Sequence, residues 1–175
     1  MTHDEFQKRM EEKHPHMFSG RYGGFAVGEG WYPIIESLCA NIEHHIKQVR
    51  HRRARDLLLD RARDRGLDYV VHFLAGGKPV RDWHYEDAER IMKVPHAIQE
   101  YVPRVKVAQI KEKFGGLRFY YDGGDDVVYG MVTMAESWAS RTCETCGAKG
   151  HQRGGGWVRT LCDEHEAEYQ KRKNS

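Results

Sequence analysis

The sequence predicts an α+β protein, helices packed on a β-hairpin, and three observations carry that prediction. Trp31, Ile35, Leu38, Cys39, Ile42, Ile46 and Val49 recur at three- and four-residue steps, the spacing of one helix face. β-Branched and aromatic residues crowd "RVKVAQIKEKFGGLRFYYDGG" (104–124) around a Gly-Gly pair, which reads as two strands and a turn. Cys143 and Cys146 stand at the spacing of a metal knuckle, and Cys162 and His165 repeat that spacing downstream.

Bulk composition agrees with a globular protein. Of 175 residues, 31% are charged and 39% hydrophobic, which excludes a disordered tail. No apolar run is long enough for a membrane span, and the opening "MTHDEFQKRMEEKHPH" is too charged for a secretory signal. A cytoplasmic protein is therefore expected. In that reducing compartment the four cysteines are metal ligands or buried thiols, not disulfides. The net charge of +2 is too small to imply a nucleic-acid partner by itself, so any such argument rests on local patches.

Taken in order, Thr2 and Glu5 have capping-box form and open a short amphipathic helix ending near His14-Pro15. The glycine-rich loop 19–30 lacks the preceding strand and the G-x-G-x-x-G spacing of a dinucleotide site, so it reads as an ordered structural loop. Pro33 suits the first turn of the long helix that follows, with Cys39 as a buried thiol on its apolar face. From Lys47 to Arg65 the chain is rich in arginine, including Arg52 and Arg53; Asp56, Asp60 and Asp64 are expected to neutralise much of that charge within the helix, and Gly66 to end it. "LDYVVHFLAGG" (67–77) fits either a short strand or a buried helical segment, and "YEDAERIMKVPHAIQEYVP" reads as two helical pieces broken at Pro95.

For the hairpin, a Gly115-Gly116 turn would place Lys113 opposite Arg118 and Lys111 opposite Tyr120. One face then carries Ile110, Phe114, Leu117, Phe119 and Tyr121 toward a core. The other carries Lys111, Lys113, Arg118 and Tyr120, a basic and aromatic surface suited to a nucleic-acid backbone and stacked bases, or to plain solvation. Asp125 or Asp126 caps the next helix, whose stripe Val127, Val128, Met131, Met134, Ala135 and Trp138 is expected to be core.

Cys143, Cys146, Cys162 and His165 supply three sulfurs and one nitrogen, a closed tetrahedron for one structural Zn2+ with no position left for water. Knuckle, short hairpin and an acidic-to-basic helix bearing the last two ligands make a treble-clef-like zinc finger. The boundary falls near residue 140: 1–140 an α+β core domain, 141–175 a zinc-binding module packed on it.

The runs "FSGRYGGFAVGEGWYPIIESLC", "VAQIKEKFGGLRFYYDGGDD", "MAESWASRTCETCGAKG" and "GWVRTLCDEH" resemble a family of small bacteriophage and prophage proteins. The resemblance implies a phage-encoded accessory protein in the host bacterial cytosol, and it supplies no activity.

Two enzyme readings compete. A zinc deaminase would use His84-Tyr85-Glu86 with Cys143 and Cys146, but Thr142 stands where proline is expected and Cys162 and His165 are stranded. A nuclease needs a second metal site, and the eleven histidines are scattered. The expected function is binding without catalysis, to nucleic acid through Lys111, Lys113, Arg118 and Tyr120 aided by Arg52, Arg53, Lys149 and Arg153. The alternative partner is a host defence protein, met by exposed aromatics around Trp83 and the glycine loop.

Overall fold

The computed structural model describes residues 1–20, 22–154 and 157–174, and the fold is α+β. Two compact units divide it: Met1–Ile46 with Pro103–Ser175, and Lys47–Val102. This division does not follow the boundary suggested near residue 140, because residues 141–175 cluster with the first unit. Among the described residues no helix is long and apolar enough to cross a membrane.

In the first unit, helix α1 (His3–Lys13) begins with the expected capping box of Thr2 and Glu5. Its buried Phe6 stacks on Tyr32 at 3.9 Å between ring centroids and meets Phe25 edge-on. Strand β1 (Phe25–Ala26) and a 3-10 turn (Glu29–Trp31) lead into helix α2 (Tyr32–Arg65), whose buried Ile35, Cys39 and Ile42 confirm the apolar face read from the sequence. Of the glycine loop, Arg21 lies outside the described residues.

Strands β2 (Lys106–Lys113) and β3 (Gly116–Asp122) form the hairpin, and β1 joins β2 in parallel. The turn differs from expectation. Lys111 pairs with Arg118 and Lys113 with Gly116, so Phe114 and Gly115 occupy the turn, at φ of 53° and 73°. Positive φ at both central residues is the tight hairpin geometry whose twist matches the strands. Gly115 stays in the turn in either register, and a Cβ there would lie 2.9 Å from Val158 Cγ1, so the packing against Val158 requires glycine at this position. The shift alters each partner by two residues and so preserves the faces. Ile110, Leu117 and Phe119 are buried as read, whereas Phe114 is 71% exposed and not core.

Helix α5 (Asp126–Ala139) follows, capped by the Asp125 carboxylate, which accepts the Val128 amide at 3.1 Å and bonds His45 Nε2 at 2.8 Å. Its buried stripe is Val128, Val132, Ala135 and Ala139. Val127, Met134 and Trp138, expected in the core, are exposed, because one helix can turn only one of two neighbouring stripes inward.

In the second unit, the remainder of α2 is joined by helices α3 (Leu67–Ala75) and α4 (Asp82–Lys93) around Val70, Val71 and Ala88. Gly66, at φ 108°, ends α2 as expected, and 67–75 is helix. No second helix follows Pro95. Residues 95–102 are irregular, and side chains of α2 satisfy their backbone: Arg53 donates to the Gln99 carbonyl at 2.5 Å and Asp56 accepts its amide at 3.0 Å. Arg63 likewise donates to the carbonyls of Ile91 and Val94.

Candidate metal centre and basic surfaces

The C-terminal module is a zinc-finger-like treble clef. A knuckle at 143–148 is followed by strands β4 (His151–Arg153) and β5 (Arg159–Leu161) and by helix α6 (Asp163–Lys173). Gly155 and Gly156, read as part of the hairpin turn, lie outside the described residues. Gly147, at φ 78°, lets the chain fold back, so that its amide donates to the Cys143 carbonyl at 2.9 Å. Cys162 is the N-cap of α6, and His165 follows in the first turn.

This geometry brings the four expected ligands together, with their donor atoms all within 4.8 Å of one another. Cys146 and Cys162 sulfurs are 3.8 Å apart, and Cys143 Sγ is 3.7 Å from His165 Nδ1. A tetrahedral ion bound at about 2.3 Å from sulfur has edges of about 3.8 Å, which these two separations meet, while Cys162 Sγ and His165 Nδ1 are closer at 3.1 Å; the sulfurs are too far apart for a disulfide. The His165 amide, followed by its ring, hydrogen-bonds the Cys162 sulfur and brings that thiol down to about 7, toward the thiolate that a metal requires.

The glycine loop has a definite job that the sequence reading did not find: it docks the knuckle. Gly30 donates its amide to the Glu144 carbonyl at 2.8 Å, and buried Trp31 donates Nε1 to the Thr142 carbonyl at 2.7 Å. A Cβ at Gly30 would lie 2.1 Å from the Cys143 carbonyl oxygen, and one at Gly28 2.1 Å from that of Glu144. The hairpin tip meets the clef from another side, with Thr160 Oγ1 donating to the Gly115 carbonyl. The run Gly28-Glu29-Gly30-Trp31 was the available signal, since two glycines just before a tryptophan allow backbone to approach backbone.

The expected basic surfaces fare unequally. On the hairpin, Lys111 lies over Tyr120 at 5.2 Å and Lys113 over Phe114 at 5.4 Å, so the basic and aromatic face is present and gains Phe114. Arg118, however, is paired with Glu136 of α5 at 3.3 Å, and the same carboxylate accepts the Phe119 amide. Arg153 is held by Asp163, whereas Lys149, whose backbone pairs with Thr142 in an isolated β-bridge, keeps an exposed side chain.

On α2 the expected neutralisation does not occur. Among the described residues no ion pair joins Asp56, Asp60 or Asp64 to an arginine. These acids recur every fourth residue and on average face away from Lys47, His51, Arg55, Arg61 and Arg65, which are exposed within about a third of the circumference, Arg61 at its edge three residues from Asp64. Arg52 is exposed outside that third, on the acids' side and one turn before Asp56. Arg53, expected beside Arg52, is instead taken up by Gln99. His84 of the deaminase reading is buried in the first turn of α4, where its Nδ1 accepts the Arg81 amide at 2.8 Å. Trp83 is half exposed and stacks on that ring.

No family model, curated protein or solved structure matches the chain.

Proposed function

We propose that the chain is a non-catalytic nucleic-acid-binding protein whose treble clef is closed by one structural Zn2+ on Cys143, Cys146, Cys162 and His165. Three thiolates and an imidazole at tetrahedral spacing suit zinc, and four protein ligands leave no position for a reacting water. The ion's work is then to join the knuckle to α6.

The observation that carries the nucleic-acid reading is the unneutralised stripe on α2. Lys47, Arg55, Arg61 and Arg65 have no carboxylate partner among the described residues, and they extend over about 27 Å of helix. A repeated row of cations of that length suits a phosphate backbone. Arg50 over Tyr101 and Arg65 over Tyr69, each at 5.4 Å, add ring faces on which bases can stack. The hairpin offers a second contact through Lys111, Lys113, Tyr120 and Phe114. An accessory role in the cytosol of a phage-infected bacterium rests on the sequence resemblance alone.

The test is binding of fluorescently labelled single-stranded and duplex oligonucleotides to the zinc-loaded chain across a salt series. The reading expects affinity that falls steeply with salt; absence of binding at low salt would overturn it.

A further inference from the structure

Helix α5 carries two apolar stripes, and the chain itself uses only one. Val128, Val132, Ala135 and Ala139 are buried at steps of four, three and four. Val127, Met131, Met134 and Trp138 repeat those steps one residue earlier, yet Val127 is 50% exposed, Met134 65% and Trp138 64%. Met131, Met134 and Trp138 form one wall of an open groove of about 780 Å³, and Pro33, Ile34 and Leu38 of α2 form the other. None of the residues lining the groove is Asp, Glu, Lys or Arg, in a chain where 31% of residues are. A surface that has shed charge to this degree is built for apolar contact.

The four-three-four step is heptad spacing, which seats side chains as knobs against a second helix. We propose that this second helix is α5 of another copy of the chain, in an antiparallel seam whose two-fold axis passes between Met131 and Met134. In that pairing Trp138 lies over the partner's Val127, so the largest residue of the stripe meets the smallest. Met131 meets the partner's Met134, and two flexible side chains can fill what gap remains. Each α5 then occupies the other copy's groove, and two α2–α5 pairs make a four-helix arrangement with a self-complementary interface.

Charge and area both permit it. The seam is flanked by Gly130, Thr133 and Ser137 on α5 and by Ser37 and Asn41 on α2, so the two-fold axis brings no like charges together. The helix has 14 residues. Its length is then about 20 Å, and at about 10 Å across it loses about 400 Å² when half enclosed. With the α2 wall the loss is about 600 Å² per copy, a total above the ~1,000 Å² expected of a biological interface. This inference does not depend on nucleic-acid binding.

The experiment is the mass of the full zinc-loaded chain in solution by light scattering and sedimentation over a concentration series. A dimer of twice 20.4 kDa is expected. Met134→Glu should raise its dissociation constant by about a hundredfold or more, with zinc content and far-UV circular dichroism unchanged because the side chain is exposed. Ser37→Glu on the opposite wall should do the same, and it decides the matter if Met134→Glu fails to fold. A monomer at every concentration, or a dimer indifferent to a folded variant, overturns the proposal.

Discussion

Reversing Arg55 and Arg61 to glutamate probes the α2 stripe without touching the core. Both side chains are exposed and neither has a carboxylate partner, so the fold should not respond. Four permanent cations, Lys47, Arg55, Arg61 and Arg65, stand ready to displace counterions. At about −0.9 per phosphate contact, a duplex bound along the whole stripe gives a slope of log K against log salt of about −3.6. The double variant retains two contacts and a slope of about −1.8. At about 0.1 M salt each contact contributes about 0.9 log units, so losing two weakens binding about 60-fold, and repulsion from the new carboxylates adds to this. Fluorescence anisotropy of a labelled duplex, titrated from about 50 to 200 mM salt, reads both quantities. An unchanged slope in a folded double variant would refute the placement of phosphates on α2. If Lys111→Glu with Lys113→Glu instead removed the slope, the hairpin would be the binding surface.

Four other outcomes are expected. Chelating the metal should expose Cys143, Cys146 and Cys162 to a thiol reagent while Cys39, fully buried and with its thiol pushed up by burial, reacts only in denaturant; four thiols reacting together would contradict that. Cys146→Ser and His165→Ala should each lose the ion in metal analysis of the purified protein. Gly30→Ala drives a Cβ to 2.1 Å from the Cys143 carbonyl oxygen and 2.4 Å from the Gly147 nitrogen, and should lower stability by about 3 kcal/mol in a denaturant titration. Asp125 shows a pH signature: burial pushes its carboxyl up, but hydrogen bonds from His45 and the Val128 amide prevail and hold it below the ordinary 3.8. A carboxylate lowered by folding stabilises fully above its unfolded value and loses that contribution as pH falls. The stability difference between wild type and Asp125→Asn should therefore shrink below about pH 3.8, as acid titrations of both proteins would reveal.

Much of the candidate centre was legible in the sequence because its determinants are local. Cys162-x2-His165 places one ligand at a helix N-cap and the next in its first turn, so spacing alone predicts convergence. The capping box at Thr2 and the period-3.6 face of α2 are equally local. The α2 charges were not legible in the same way: Arg52 and Arg53 lie within a turn of Asp56, and Arg63 within a turn of Asp60, yet Arg53, Arg63 and Asp56 bond the backbone of 91–99 instead. Residue 95–102, by contrast, has helical-looking composition, and the competing Arg53 and Asp56 lie more than forty positions away.

By itself, then, the sequence determined which residues can ligate a metal, where most helices run and which hairpin face is basic, because each depends on neighbours within a turn or a pleat. Only the tertiary structure decided that Gly28 and Gly30 admit the knuckle, that Phe114 and not Gly116 shares the turn with Gly115, and that one of two equivalent apolar stripes on α5 is left outside. Those choices depend on contacts such as Trp31 with Thr142, in which residues remote along the chain compete for the same space.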